Sequence, residues 1–118
     1  MIKKAIALLV IDIIFIRLFL GNIFLNMLEK IQGKPVVLNI VYAAVTYFLI
    51  LLGNHLFITP LKKIYSTRKY YTYAFLFGIV TYGIYDFTNL ALLSDYKLSA
   101  AIIDTLWGGT LNALLAYF

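Results

Sequence analysis

Three of the five acidic residues in this 118-residue chain, Asp12, Asp86 and Asp104, stand inside long apolar blocks, together with one guanidinium, Arg17. A charge near the middle of a bilayer costs roughly 2.5–3.5 kcal/mol on insertion scales, so each such residue needs a partner or a use. The uses open to a buried carboxyl are holding a proton or holding a cation. The polar neighbours recur at helical spacing. Gly78, Tyr82, Tyr85, Asp86 and Asn89 fall at i, i+4, i+7, i+8 and i+11, which is one face of a helix. Asp104, Gly108 and Asn112 stack at i, i+4 and i+8. Asn39, Tyr42, Thr46 and Asn54 fall within about 120° of helical arc, and Asp12 shares a face with Asn26. Each stripe is one that a helical bundle would turn inward.

At ~1.5 Å of rise per residue, Asp86 and Asp104 come to the same depth on adjacent helices, about 6–7 Å outside the midplane. Two layers are expected. The outer one holds Asp86, Asp104, Tyr82 and Asn89, with Arg17 as a candidate member. The inner one holds Asp12 and Asn112. Arg17 points about 140° away from Asp12 and does not simply neutralise it. It reads as a structural counter-ion to another helix or subunit, or as a snorkelling residue, rather than an anion site. Two close carboxylates rarely both ionise, so the Asp86–Asp104 pair is expected to hold a proton. The competing reading for all three acids is a satisfied polar network that only fixes helix register.

Other chemistries find no residues. Ser66, Ser94 and Ser99 lie near the ends of the apolar blocks without a nearby histidine, so no serine triad is expected. There is no cysteine, and the single His55, about 160° from Asn39, reads as an interfacial residue rather than a metal ligand. No glycine loop cradles a phosphate, and no lysine stands at mid-span to carry a Schiff base. No metal, haem or other cofactor is expected, and an enzyme is disfavoured. Trp107 reads as a packing residue. Ten basic residues are too few for a nucleic-acid footprint, and their distribution reports topology instead.

The elements that position these residues are long and apolar. The chain is 64% hydrophobic and 13% charged. Crossing a bilayer takes about 20 helical residues, and residues 5–28, 36–58, 70–93 and 98–118 each qualify. The first block runs too long for a cleaved signal and is expected to be retained as a span. Joints at 29–35, 59–69 and 94–97 are short, which makes successive helices antiparallel neighbours. The expected fold is an all-α transmembrane four-helix antiparallel bundle, one domain over residues 1–118. Lys3, Lys4, Lys62, Lys63, Arg68 and Lys69 fall on one side and Lys30, Lys34 and Lys97 on the other. That bias places both termini in the cytoplasm. Tyr65, Tyr70, Tyr71 and Tyr73 are expected to form an inner aromatic belt, with Tyr96 at the outer face. Ala101, Thr105, Gly109 and Ala113 form a ridge of small residues beside Gly108, and with Gly78 they are the expected close-packing positions.

The same residues carry a resemblance. Residues 82–93 read Y-G-I-Y-D-F-T-N-L-A-L-L and residues 104–108 read D-T-L-W-G. These runs resemble the Y-x-x-Y-D-x-T-N-x-A-x-L and D-x-x-W-G motifs of an uncharacterised family of small four-span membrane proteins found mostly in bacteria. Asp12 matches that family's first-span aspartate. Phe15 stands where the family has tryptophan, and Arg17 departs from its pattern. The resemblance implies four spans and a role for Tyr85, Asp86, Thr88, Asn89, Asp104, Trp107 and Gly108. It implies no activity.

The function expected from these observations is an ion- or proton-conducting channel or transporter subunit in the lipid bilayer, acting on protons or small cations. Four close-packed helices fill their own centre, so conduction favours a homo-oligomer. The alternative is a non-conducting structural or partner-binding membrane protein.

Overall fold

The computed structural model describes the backbone of residues 1–118 and every side chain except that of Leu20. All of its regular structure is helical. Helix α1 (Ile2–Phe15) passes through a wide turn, Ile16–Leu20, into α2 (Gly21–Gln32). Helix α3 (Ile40–Gly53) continues through a second wide turn, Asn54–Ile58, and a tight turn, Thr59–Lys63. Helices α4 (Thr67–Leu92) and α5 (Leu98–Tyr117) form a hairpin. Three helical stretches are each long and apolar enough to cross a membrane: Ile40–Lys63, Thr67–Leu92 and Leu98–Tyr117. The bent pair Ile2–Phe19 and Gly21–Gln32, if counted as one span, makes a fourth.

Local chemistry accounts for most boundaries. Gly33 adopts φ +73°, a left-handed conformation that ends α2 at little cost only for glycine. Asn39 caps α3, its side chain accepting from the Val41 and Tyr42 amides, so the second span starts at Ile40 and residues 36–39 stay outside it. Ser66 caps α4 by accepting from the Lys69 amide at 3.3 Å. Pro60 sits at the start of the tight turn, where its missing N–H costs nothing.

The first block is not one rod. Its two halves meet at 76° across the wide turn, where the Gly21 amide reaches back to the Ile16 carbonyl. A widened turn of this kind is a recognised cause of sharp bends. Asn26 therefore leaves the face of Asp12 and is exposed.

Both termini and the second joint share one end of the bundle. Lys3 and Phe118 border one hollow, Lys4 bonds Thr59, and the Tyr70 hydroxyl donates to the Ala116 carbonyl at 2.8 Å. At the far end, Met27 of α2 packs with Tyr96, Ala100 and Ala101. The expected antiparallel alternation is thus present. The last span is the central one: half of its apolar window is buried, against 6% for the second span.

The α4–α5 contact is the most extensive in the molecule, and it is close because glycines line it. A Cβ added at Gly78 would overlap the Gly108 backbone, and one at Gly109 would come within 2.8 Å of the Phe75 ring. Thr105 packs against Gly83, and Ala101 is fully buried, whereas Ala113 is only half-buried. Tyr70→Phe removes the one side-chain bond that closes the terminal end of this hairpin. The expected loss is about 1 kcal/mol, read as a lowered unfolding midpoint in detergent micelles; an unchanged midpoint would mean the hydroxyl is dispensable.

Candidate functional site

The polar stripes converge on α5 and form three tiers. At the far end, Asp86 of α4 is fully buried. It accepts from the Tyr96 hydroxyl at 2.7 Å on one oxygen and from the Thr105 hydroxyl at 3.3 Å on the other. Asp104, one residue before Thr105, is a neighbour of Asp86. Asn89, half-buried, follows one helical turn after Tyr85 and Asp86. The Tyr96 phenol is pushed above the ordinary tyrosine range, first by burial and then by its bond to Asp86, so it stays a donor. Tyr96 is therefore a buried member of the site and not part of an interfacial belt.

The middle tier is centred on Asp12, which is buried where α1, α3 and α5 meet. Trp107 Nε1 donates to one of its oxygens at 2.9 Å, and the Tyr47 hydroxyl donates to the other at 2.5 Å. The Trp107 ring lies flat on Phe15, with centroids 3.9 Å apart and planes 6° from parallel. Trp107 thus packs as expected and also feeds a carboxyl. Trp107→Phe keeps the stack and deletes the donor. It should cost about 2 kcal/mol, the scale of a bond to a charged or strongly polar group, in a detergent unfolding titration; an equally stable variant would show that Asp12 does not depend on it.

The tier nearest the termini contains no carboxylate. Lys4, only 5% exposed, donates to Asn54 Oδ1 at 2.7 Å and to Thr59 Oγ1 at 2.9 Å. The Asn54 amide donates to the Asn112 side chain at 3.1 Å and to its carbonyl at 3.2 Å. Asn112 in turn donates to the Gly108 carbonyl at 3.0 Å. Asp12 and Asn112 therefore belong to separate tiers, because Asn112 faces the second span's wide turn. Of the second-span stripe only Asn54 turns fully inward. Asn39 is spent on capping, while Tyr42 and Thr46 are exposed.

Arg17 joins none of these tiers. It is exposed and makes no ion pair among the described residues. With Asp12 turned inward, a residue about 140° further round the helix must turn outward. His55 is exposed near the terminal end, in keeping with an interfacial residue. Thr88 is exposed as well. Sequence reasoning missed Tyr47 as a donor and counted Lys4 only as a topological charge. A buried carboxyl demands donors at its own depth, and that demand was the available signal for Tyr47.

One tier opens outward. Helices α3 and α4 meet only near the Asn54–Ile58 turn. Beyond that turn they part around a cavity of about 520 Å³, lined by Asp104, Tyr82 and Tyr85 among others. Tyr82 forms part of its floor, pressed over Gly108 in the absence of any side chain there.

Fold and polar interior together define a helical membrane protein with several apolar spans. The chain matches the family described as "Predicted membrane protein (DUF2177)" over residues 1–118, and it belongs to that family. No curated protein and no solved structure matches it.

Proposed function

We propose that this protein is a proton-exchanging transport unit, in which Asp86 and Asp104 hold one proton between them and release it when the cleft is occupied. The observation that carries this reading is a pair of neighbouring carboxyls, Asp86 sealed beside Thr105 and Asp104, the residue before Thr105, lining a cavity. Two carboxylates in contact and out of water do not both stay ionised. Both Asp86 oxygens already accept hydroxyl hydrogens, from Tyr96 and Thr105. The shared proton therefore resides on Asp104, which donates it to Asp86. Asp104 is also the member that cavity contents reach.

Asp86, Asp104 and the donors Tyr96 and Thr105 come from α4, α5 and the joint between them, so one subunit supplies the pair and its donors. Four packed helices leave no axial pore, which favours exchange at the cleft over open conduction. Both termini face the cytoplasm in this reading, by the bias of six basic residues against three. The protein acts without a cofactor and catalyses no covalent chemistry.

Infrared spectroscopy on protein in lipid tests the shared proton. Wild type should show a protonated carboxyl band at pH 7 that is lost in Asp104→Asn and shifted in Asp86→Asn. A wild-type spectrum without such a band at pH 7 would refute the proposal. One observation favours a second, structural reading: among the described residues no buried side-chain polar atom lacks a hydrogen-bond partner. A network so fully satisfied serves to lock helix register as well. Under that reading Asp86→Asn and Asp104→Asn unfold the protein rather than altering its protonation.

A further inference from the structure

We infer that the cleft between α3 and α4 binds an organic cation with an apolar body, such as a protonated or quaternary amine, which takes the place of the proton on Asp104. The inference rests on the reading above and adds the class of ligand.

The lining determines the class. Leu49, Ile50 and Phe77 supply apolar walls, and Tyr82 and Tyr85 add two more rings. The remaining polar side chains at the rim are already engaged. Thr46 donates to the Tyr42 carbonyl, Thr81 to the carbonyls of Phe77 and Gly78, and Asn112 to that of Gly108. That leaves Asp104 as the one ionisable carboxyl in the lining, among aromatic faces. Aromatic faces and one carboxylate are the elements that recognise ammonium groups. A hard inorganic cation asks for six or more oxygen ligands, and no cluster of three or more metal-binding side chains exists among the described residues. An anion would meet a carboxyl with no basic residue in the lining. At about 520 Å³ the cavity falls within the range of small-molecule sites.

The exchange conserves charge. With one proton on the pair, Asp86–Asp104 carries a single negative charge. When the cation enters, the O–H bond of Asp104 breaks and its proton is released to the buffer. The ammonium then pairs with the carboxylate left behind. Site and contents keep one negative charge throughout, so neither state requires a second uncompensated ion in the membrane. The titratable groups facing the pair are Tyr82 and Tyr85 from α4, Tyr96 from the outer joint, Asp12 from α1 and, beyond Asp12, Tyr47 from α3. No ion pair engages either carboxyl among the described residues.

The test is calorimetric titration of the full chain in neutral detergent micelles, with benzyltrimethylammonium as probe and neopentylbenzene as its uncharged counterpart. The cation should bind in wild type with release of about one proton, measured from the buffer dependence of the heat. Asp104→Asn should weaken it by at least about tenfold and abolish the release. Leu49→Trp changes an exposed residue at the cleft wall and should block binding while leaving the infrared carboxyl band in place. If that band is present but the cation does not bind, the ligand assignment is wrong and the shared proton stands. If the uncharged probe binds as tightly as the cation, the cleft is merely an apolar hollow and the assignment is equally overturned. Loss of the band in wild type removes the underlying proposal itself.

Discussion

Gly78→Leu should lower the stability of the protein by about 3 kcal/mol or more, the largest loss expected from a single change of one apolar-compatible residue. At most packed positions an added side chain finds a neighbouring side chain that rotates away. At Gly78 the atom in the way belongs to the Gly108 backbone, with the Gly109 Cα next to it. Relief requires α4 and α5 to separate, and separation dismantles everything their contact holds. Thr105 would leave Asp86, and Tyr82 would lose its seat over Gly108. In lipid there is no hydrophobic drive to bring the helices back, since their apolar faces are equally well solvated by acyl chains. The measurement is unfolding in mixed micelles followed by the fluorescence of Trp107, the only tryptophan in the chain. Val80→Leu, an exposed change on the same helix, should stay within about 0.5 kcal/mol of wild type. Equal behaviour of the two variants would mean that the close approach contributes nothing.

The parts of this structure legible in the sequence are those governed by local pattern. Hydropathy over about 20 residues marks a span whatever the span later touches. Helical periodicity put Asp86 and Asp104 at one depth on neighbouring helices, because a joint of a few residues leaves almost no freedom in how the two helices align. The ridge Ala101, Thr105 and Gly109 was legible for the same reason: small residues at four-residue spacing are a backbone-contact surface.

What escaped depends on partners rather than pattern. The bend after Phe15 is marked by no proline, and apart from Arg17 the residues of the wide turn are apolar. Its 76° angle lets α2 run to the far end and cover Tyr96. Tyr96 and Lys4 sit where a belt tyrosine or a topological lysine would sit, and only the neighbouring helices decide that both turn inward. Arg17 is the converse case. A charge at mid-block suggests a partner, but the helix face that carries Asp12 inward carries Arg17 out. Tyr47 gave no periodic signal because it is the only hydroxyl on its helix that reaches Asp12.

Asp104→Asn should abolish cation-for-proton exchange across a membrane while leaving the fold intact. In liposomes enclosing a pH dye, external benzyltrimethylammonium should make the interior of wild-type vesicles alkaline, as protons leave against the entering cation. The variant should fall to the rate of protein-free vesicles. An amide carries no exchangeable acid proton at this pH and no charge to pair with the ammonium, so both halves of the exchange fail together. The amide keeps the size of the acid and still donates to Asp86, now through its NH₂ group. Stability should accordingly change by less than about 1 kcal/mol, the scale of one ordinary hydrogen bond. Asp86→Asn differs in a way that tests the division of roles. Tyr96 and Thr105 then face an amide with one oxygen in place of two, so this sealed position should lose stability by more than Asp104→Asn does. Its vesicles should retain some exchange, because Asp104 still titrates at the cleft. Exchange surviving in Asp104→Asn, or an Asp104→Asn chain that fails to fold, would remove the carboxyl at the cleft from the mechanism and leave the polar tiers as a device for holding four helices in register.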